Sequence, residues 1–390
     1  MPGTADLAGL LAELEEQGLG RRRCVLEGPQ GVRVRLDGRD CLSFSSNDYL
    51  GLANHPGLVF AAQLAAGRFG VGAGAAHLLT GHHQLHHELE TAFSAFVGLP
   101  AALLFSTGYM ANLGVVSALL ERNGAVFADR LNHASLVDAA RLSGADHQRY
   151  RHLDLDDLDR RLKSSKARAR LIATDAVFSM DGDIAPVPEL LELAERHDAW
   201  LYLDDAHGFG VLGEQGRGVL ERHASHPKPH SPRLIYLATL GKAAGVAGAC
   251  VAGSRELVEW LVNKARTYVF TTAMPPMLAA AALKSLELIA TEAWRRQRLA
   301  VLVQRLQTGV VRLPWRLLPS ETPIQPLLVG GNADALRLAD GLRQRGILIP
   351  AIRPPTVPQG TARLRISLSA GHTEADVDTL LTALADLARP

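Results

Sequence analysis

Leu234-Ile235-Tyr236-Leu237-Ala238-Thr239-Leu240-Gly241-Lys242-Ala243-Ala244-Gly245 opens as an apolar run and ends in a small-residue loop carrying one lysine. The chain holds six lysines, Lys163, Lys166, Lys228, Lys242, Lys264 and Lys284. Five sit in polar or helical surroundings, where a solvated ammonium is expected. Lys242 is set among Gly, Ala, Leu and Val, with no acidic residue near it in sequence. Crowding of that kind favours the neutral amine, the form that attacks a carbonyl. A single lysine in a loop is ordinarily a surface residue. A second stretch upstream shifts the balance.

That stretch is Ala199-Trp200-Leu201-Tyr202-Leu203, closed by Asp204-Asp205-Ala206-His207-Gly208. An unbroken apolar run of this length reads as a buried parallel strand. Asp204 therefore falls at a strand's carboxyl end, where open α/β sheets bind their ligands. Leu234–Ala238 delivers Thr239 and Lys242 in the same way. A carboxylate and a lysine at two strand ends suit pyridoxal phosphate: the first pairs with a pyridinium nitrogen and the second holds the aldehyde. Asp204-Asp205-Ala206-His207-Gly208 followed by Thr239-Leu240-Gly241-Lys242 resembles the α-oxoamine synthases, a family of fold-type-I pyridoxal phosphate enzymes. The resemblance implies an α/β fold with a mostly parallel central sheet flanked by helices, and a smaller α/β C-terminal domain. The expected division is an N-terminal helix and hairpin over 1–50, a large cofactor-binding domain over 51–285 and a small domain over 286–390.

Composition agrees with an enzyme of this size. With 390 residues, 47% of them hydrophobic, the chain can bury a large core. Lys+Arg 41 against Asp+Glu 40 leaves it nearly neutral, which argues against a nucleic-acid or anionic-membrane surface. Cys24, Cys41 and Cys250 are few and lack CxxC spacing, so neither a disulfide framework nor a thiolate metal site is expected, and a reducing cytoplasm fits. Residues 1–6 show no basic and apolar leader pattern, and no stretch reaches the roughly 18 apolar residues of a membrane span.

Along the chain, Leu7, Leu10, Leu11 and Leu14 predict an amphipathic helix. Val32–Leu36, Asp37-Gly38 and Cys41–Phe44 predict a hairpin. Phe69-Gly70-Val71-Gly72-Ala73-Gly74-Ala75-Ala76 satisfies a loose dinucleotide pattern, but no good strand precedes it; a backbone passing close to a cofactor or partner subunit is the better reading. His82, His83, His86 and His87 invite a metal ion, yet no third ligand at suitable spacing is evident, and a helix start with Leu85 and Leu89 inward is expected instead. From Ala101 onward, apolar runs at 102–105, 125–129 and 171–174 alternate with helical stretches, as a doubly wound sheet requires. Ser106-Thr107-Gly108-Tyr109 starts a helix after a strand, and its first N–H groups suit a phosphate. His133 follows the 125–129 strand; a lone histidine there is ordinarily a surface or capping residue, but its place on the same sheet edge as Asp204 favours a ring that stacks on the pyridine. The region from Met277 to about Leu306 reads as one long helical stretch, and the C-terminal part has a βαβ-like rhythm. Thr373 and Asp376 predict a capping box for the last helix.

The family resemblance extends from about Arg21 to the last helix and implies residue roles. Lys242, Asp204, His133 and His207 are the expected catalytic residues. Gly108, Tyr109 and Thr239 would bind phosphate, and Ser179 and His207 would hydrogen-bond the cofactor's oxygen. Thr271 and Thr272, in Tyr268–Pro276, resemble a segment that reaches the neighbouring subunit's phosphate, which implies a homodimer. Asp175 and Ala176 depart from the family's usual Glu-Gly, so no role is assigned to Asp175. The segment Ala351-Ile352-Arg353-Pro354-Pro355-Thr356-Val357-Pro358-Gln359-Gly360 resembles the branch that joins L-alanine to a pimeloyl thioester, carried by coenzyme A or acyl carrier protein. Arg353, in a proline-stiffened loop, offers a two-pronged contact to a carboxylate. Arg21, with Arg22 and Arg23 as adjacent alternatives, Asn47 and Thr356 match substrate-contacting positions. Sister enzymes using glycine or serine, an aminotransferase on the same fold, and a non-catalytic subunit are the competing readings.

Overall fold

The apolar runs that end in Asp204 and Lys242 form neighbouring strands of one sheet. The computed structural model describes residues 6–16, 19–20, 23–223 and 231–389; Arg21 and most of the proline-rich stretch 223–232 lie outside them. The leucine repeat forms α1 (Leu7–Glu16), and its Leu7 and Leu11 remain exposed. The hairpin pairs β1 (Arg33–Leu36) with β2 (Arg39–Ser43). Its turn residues Asp37 and Gly38 both have positive φ, 48° and 76°, the backbone hand that matches strand twist in two-residue hairpins. Helices α2 (Pro56–Phe69) and α3 (Gln84–Val97) follow, with the glycine-rich segment between them. The histidine-rich start of α3 is a cap: Leu85 N–H donates to His83 Nδ1 at 3.2 Å, and His83 N–H to His86 Nδ1 at 3.0 Å.

The central sheet consists of β3 (Ala101–Phe105), β4 (Ala125–Asp129), β5 (Asp146–Tyr150), β6 (Arg170–Asp175), β7 (Trp200–Asp204), β8 (Leu234–Thr239) and β9 (Ala249–Gly253). Their order is β3-β9-β8-β7-β6-β4-β5, parallel except for β9, which is antiparallel to both neighbours. Only nine residues separate Thr239 from Ala249, too few for the crossover that a parallel return needs, so β9 must turn back. Helix α4 (Gly108–Leu119) follows β3 and α5 (Ala134–Ser143) follows β4. Successive residues of each strand enter opposite cores: Leu104, Phe127, Ile172 and Leu203 on one face, Leu103, Val126, Leu171 and Tyr202 on the other. Each large aliphatic side chain so buried contributes about 1.5–3 kcal/mol. Two-sided burial is what makes these strands read as continuous apolar runs.

The C-terminal part departs from the expectation in two places. The helical stretch is two helices, Pro276–Thr291 and Trp294–Val310. At the break the buried Arg296 donates from Nη1 to the Ile289 carbonyl at 2.7 Å, and Arg295 from Nη1 to the Leu50 carbonyl at 2.7 Å. Arg296 thus supplies a donor to a carbonyl near a helix end, which lacks an intrahelical partner. The βαβ-like rhythm also misleads. Strands β10 (Arg316–Leu317) and β11 (Ile324–Gly330) form an antiparallel sheet with β13 (Ala351–Ile352) and β14 (Ala362–Ser367), whereas β12 (Ile347–Leu348) leaves it to pair with β2 in parallel. The final helix, Glu374–Leu387, begins with the expected Thr373–Asp376 capping box.

Candidate active site

The carboxyl ends of β6 and β7 pair Asp175 with Asp204, β8 pairs Leu237 with Asp204 and ends two residues on at Thr239, and the loop after β8 carries Lys242. The loop is tightly held. Leu240 N–H donates to Gly248 O at 2.8 Å, Val246 N–H to Leu240 O at 2.8 Å, and Ser285 Oγ to Ala244 O at 2.7 Å. Gly245 has φ +69°, and a Cβ there would lie 2.6 Å from Ala53 N, so glycine lets the segment after Asn47 pass directly against the lysine loop.

Lys242 Nζ lies 2.9 Å from His207 Nε2, and His207 Nδ1 lies 2.7 Å from the Tyr49 hydroxyl. The Tyr49 hydroxyl donates to Asn47 Oδ1 at 3.2 Å and receives Arg365 Nη2 at 3.2 Å. Since the Tyr49 proton goes to Asn47, His207 donates from Nδ1 and accepts the lysine N–H at Nε2. Full burial and the nearby positive charge of Lys242 hold His207 well below its ordinary pKa, consistent with that neutral tautomer. Burial also pulls the Lys242 ammonium down to about 8, against the opposing charges of Asp204 and Asp175. At pH 7 about one such amine in ten is neutral, against about one in 2,500 for an ordinary lysine.

Asp204 accepts from Asn112 Nδ2 at 2.8 Å through Oδ2 and from Ala206 N–H at 3.1 Å through Oδ1. Asn112 is itself fixed: Tyr202 donates to its Oδ1 at 2.7 Å and its Nδ2 reaches Ser135 Oγ at 2.8 Å. Asp175 is buried beside this carboxylate. Desolvation and the Asp204 charge raise its pKa well above the usual range, while the His133 backbone N–H donates to it at 2.6 Å. His133 caps α5, its Nδ1 accepting from Ser135 N–H at 3.3 Å, and the residue stays exposed at the sheet edge.

The N-terminus of α4 faces Thr239: a Cβ on Gly108 would lie 3.9 Å from Thr239 Oγ1. Thr107 Oγ1 takes the Met110 N–H at 3.1 Å, leaving the Gly108 and Tyr109 N–H groups of the first turn as anion donors. The Tyr109 hydroxyl, in contrast, donates to Asp138 on the exposed side, so this residue can serve a phosphate through its backbone. Thr271 and Thr272 follow a short helix; Thr272 pairs with Ala76 of the glycine-rich segment, and Ala273 N–H donates to Ala75 O at 3.0 Å. Ser179 offers its carbonyl to Arg365 Nε. Arg353 follows β13 next to the β13–β14 pairing of Ile352 with Arg363, and Thr356 N–H donates to Arg353 O at 3.0 Å. Arg21 lies outside the described residues.

Three groups were not singled out from sequence, Tyr49, Asn112 and Arg365, and Asp175 was named without a role. Tyr49 and Asn112 sit inside stretches whose neighbours were noticed. Arg365 lies in the alternation Arg363-Leu364-Arg365-Ile366, a pattern that a solvated face and a buried polar face share. Both arginines are buried, 3% and 6% exposed. Arg363 Nη1 reaches Asp181 Oδ1 at 2.6 Å, and Arg365 Nη1 reaches Ser367 Oγ at 2.8 Å and Asn47 Oδ1 at 3.2 Å.

The assembled donors match a phosphorylated pyridine aldehyde: a depressed-pKa amine, an ionisable carboxylate fixed at a strand end, and a helix N-terminus beside a threonine. Comparison with known proteins points the same way. The family model "Aminotransferase class I and II" matches residues 39–384. An 8-amino-7-oxononanoate synthase of Nitrosomonas europaea is 64% identical over 385 residues, covering 99% of each chain. Among solved structures, a serine palmitoyltransferase from S. paucimobilis with bound PLP–myriocin aldimine superimposes with a TM-score of 0.90 at 30% identity, covering 98% of this chain and 96% of that one. An 8-amino-7-oxononanoate synthase from Francisella tularensis gives 0.77 at 30% identity, over 89% and 97%. The chain belongs to the class I and II aminotransferase family and, within that fold-type-I group, to the 8-amino-7-oxononanoate synthases.

Proposed function

We propose that the protein joins L-alanine to a pimeloyl thioester with loss of CO2, giving 8-amino-7-oxononanoate and a free thiol for biotin synthesis, with pyridoxal phosphate as cofactor. The observation that carries this reading is the Lys242–His207–Tyr49 relay beside the Asn112-anchored Asp204. Near-full-length identity to synthases of that name supports it.

When bound, pyridoxal phosphate supplies an electron-withdrawing pyridinium that makes the amino acid's Cα–H and Cα–carboxylate bonds easier to break. Asp204 would keep that ring nitrogen protonated. Asn112 and Ala206 N–H hold its carboxylate in place, so no reorganisation is required at the moment of reaction. Lys242 Nζ, partly neutral at working pH, would hold the cofactor's aldehyde at rest and take the alanine Cα proton during turnover. His207 Nε2 accepts one lysine N–H and so aims the amine's lone pair. The α4 N-terminus and Thr239 would bind the phosphate, with Thr271 and Thr272 of a second copy completing it in a homodimer. His133 would stack on the ring, Ser179 would bond the ring oxygen, and Arg353, Arg21, Asn47 and Thr356 would hold the substrates.

No described helix is long and apolar enough to cross a membrane. A cytoplasmic location is the reading that goes with the reduced cysteines.

A condensation assay tests the proposal: protein with pyridoxal phosphate is offered pimeloyl thioester plus L-alanine, glycine or L-serine, and aminoketone is scored by mass. Product from alanine alone is expected. Product from glycine or serine would move the protein to a sister activity. The lowered lysine pKa adds a second expectation. After cofactor removal, covalent capture of added pyridoxal phosphate should accelerate as pH rises and level off above about pH 8, because only the neutral amine attacks. A rate still climbing at pH 10 would mean that Lys242 behaves as a solvated lysine.

A further inference from the structure

A second cluster of titratable side chains lies where α3 begins. His82, His87 and Glu90 place one potential ligand atom each within 4.8 Å of one another. The spacing of the sequence brings His82 and His87 to attention; the fold adds Glu90 and, behind His82, His77. We propose that His82, His87 and Glu90 form a binding site for one divalent transition-metal ion of the zinc class, with His77 orienting His82.

Each group is prepared differently for that task. Glu90 is anchored from below: its Oε1 accepts the Leu104 N–H at 2.9 Å, and its side chain is 12% exposed. Its other oxygen, Oε2, stands 3.9 Å from His82 Nε2. That separation is too long for a hydrogen bond. It fits two ligands that each sit about 2.0–2.2 Å from a shared ion. On its far side, His82 Nδ1 meets His77 Nδ1 at 2.9 Å. One of these nitrogens must donate, and donation from His82 leaves its Nε2 lone pair facing Glu90. Metal-bound histidines are commonly held in this way by a hydrogen bond at the second ring nitrogen. His77 is itself fixed by stacking on Tyr268, with ring centroids 4.7 Å apart.

His87 completes the set from one turn of α3 before Glu90; it is exposed, and its ring stands edge-on to His82 at 6.2 Å. Two imidazoles and a carboxylate with solvent access are a donor set suited to zinc, with water in a fourth position. The alternative trio His77, His82 and His86 is equally compact. It lacks a free ligand, because His86 accepts the His83 N–H at Nδ1 and meets the Met274 carbonyl through Nε2 at 2.7 Å. A bound ion would staple the π-helical turn His77–Gly81 to α3, next to the Ala76–Thr272 pairing. The site takes no part in the proposed condensation.

The test uses the full chain loaded with pyridoxal phosphate, dialysed against a chelator and titrated with Zn2+ in phosphate-free buffer. Co2+ serves as a second probe because its visible absorption reports coordination. One Zn2+ per chain and cobalt ligand-field bands are expected. H87A, which alters an exposed side chain, should weaken binding by roughly 10–100-fold or more with the metal-free melting curve unchanged. E90Q should weaken it as well, by removing the anionic ligand. Equal zinc affinity in H87A and the unaltered chain would overturn the proposal, as would failure of the unaltered chain to bind a stoichiometric ion.

Discussion

Lys242→Ala is expected to reduce aminoketone formation by on the order of 10^4-fold or more and to abolish covalent cofactor capture. In the proposed mechanism one side chain supplies both the nucleophile and the base, and a positioned base by itself is commonly worth about 10^2–10^4-fold. The loss should be chemical rather than structural. The loop keeps its shape through the Leu240–Gly248, Val246–Leu240 and Ser285–Ala244 hydrogen bonds, none of which uses the lysine side chain. Thermal melting of the variant should therefore stay close to that of the unaltered protein. Turnover and absorbance of the bound cofactor are the measurements, and an alanine variant with near-normal product formation would sink the assignment.

Asp204→Asn is expected to retain pyridoxal phosphate yet lose roughly 10^2–10^4-fold in turnover, with α-proton exchange of alanine falling in parallel. A neutral amide cannot hold a proton on the ring nitrogen. The surroundings add a cost of their own. Both carboxylate oxygens accept from donors, Asn112 Nδ2 and Ala206 N–H. An asparagine at 204 sets its own NH2 against one of them. Asn112 has no freedom to flip, because Tyr202 already donates to its Oδ1. Such a mispaired buried group costs about 1–3 kcal/mol. Asn112→Ala separates the two effects: it disturbs the same network but keeps the carboxylate, so exchange should fall far less. Unchanged α-proton exchange in Asp204→Asn would remove the ring-protonating role.

Recognition from sequence succeeded where the chemistry is local. The motif around Asp204 and the loop around Lys242 each lie within ten residues, and each follows an apolar strand that sheet burial makes legible. The start of α3 and the cap at Thr373 were visible for the same reason, since capping is settled between residues three apart. Recognition failed where the partner is remote. Arg365 and Asn47 meet across 318 residues, and Tyr49 meets His207 across 158. Asn112 reaches Asp204 across 92. Nothing in the periodicity of either segment announces such a contact. On a strand such as β14, moreover, a buried polar face and a solvated one produce the same alternation.

The sequence by itself determined that the strands exist, that Asp204 ends one of them and that Lys242 falls just beyond the end of another. These follow from short-range rules: apolar continuity, capping and backbone preference. Only the tertiary structure decided that β9 runs against its neighbours, that β12 joins the N-terminal hairpin, and that the amine is held by a relay from His207 through Tyr49 to Asn47 and Arg365. It also decided that His77, His82, His87 and Glu90 converge. The physical reason is common to all of these. Packing brings together groups with no fixed spacing along the chain, and their mutual burial, charge and hydrogen bonding arise only once they have met.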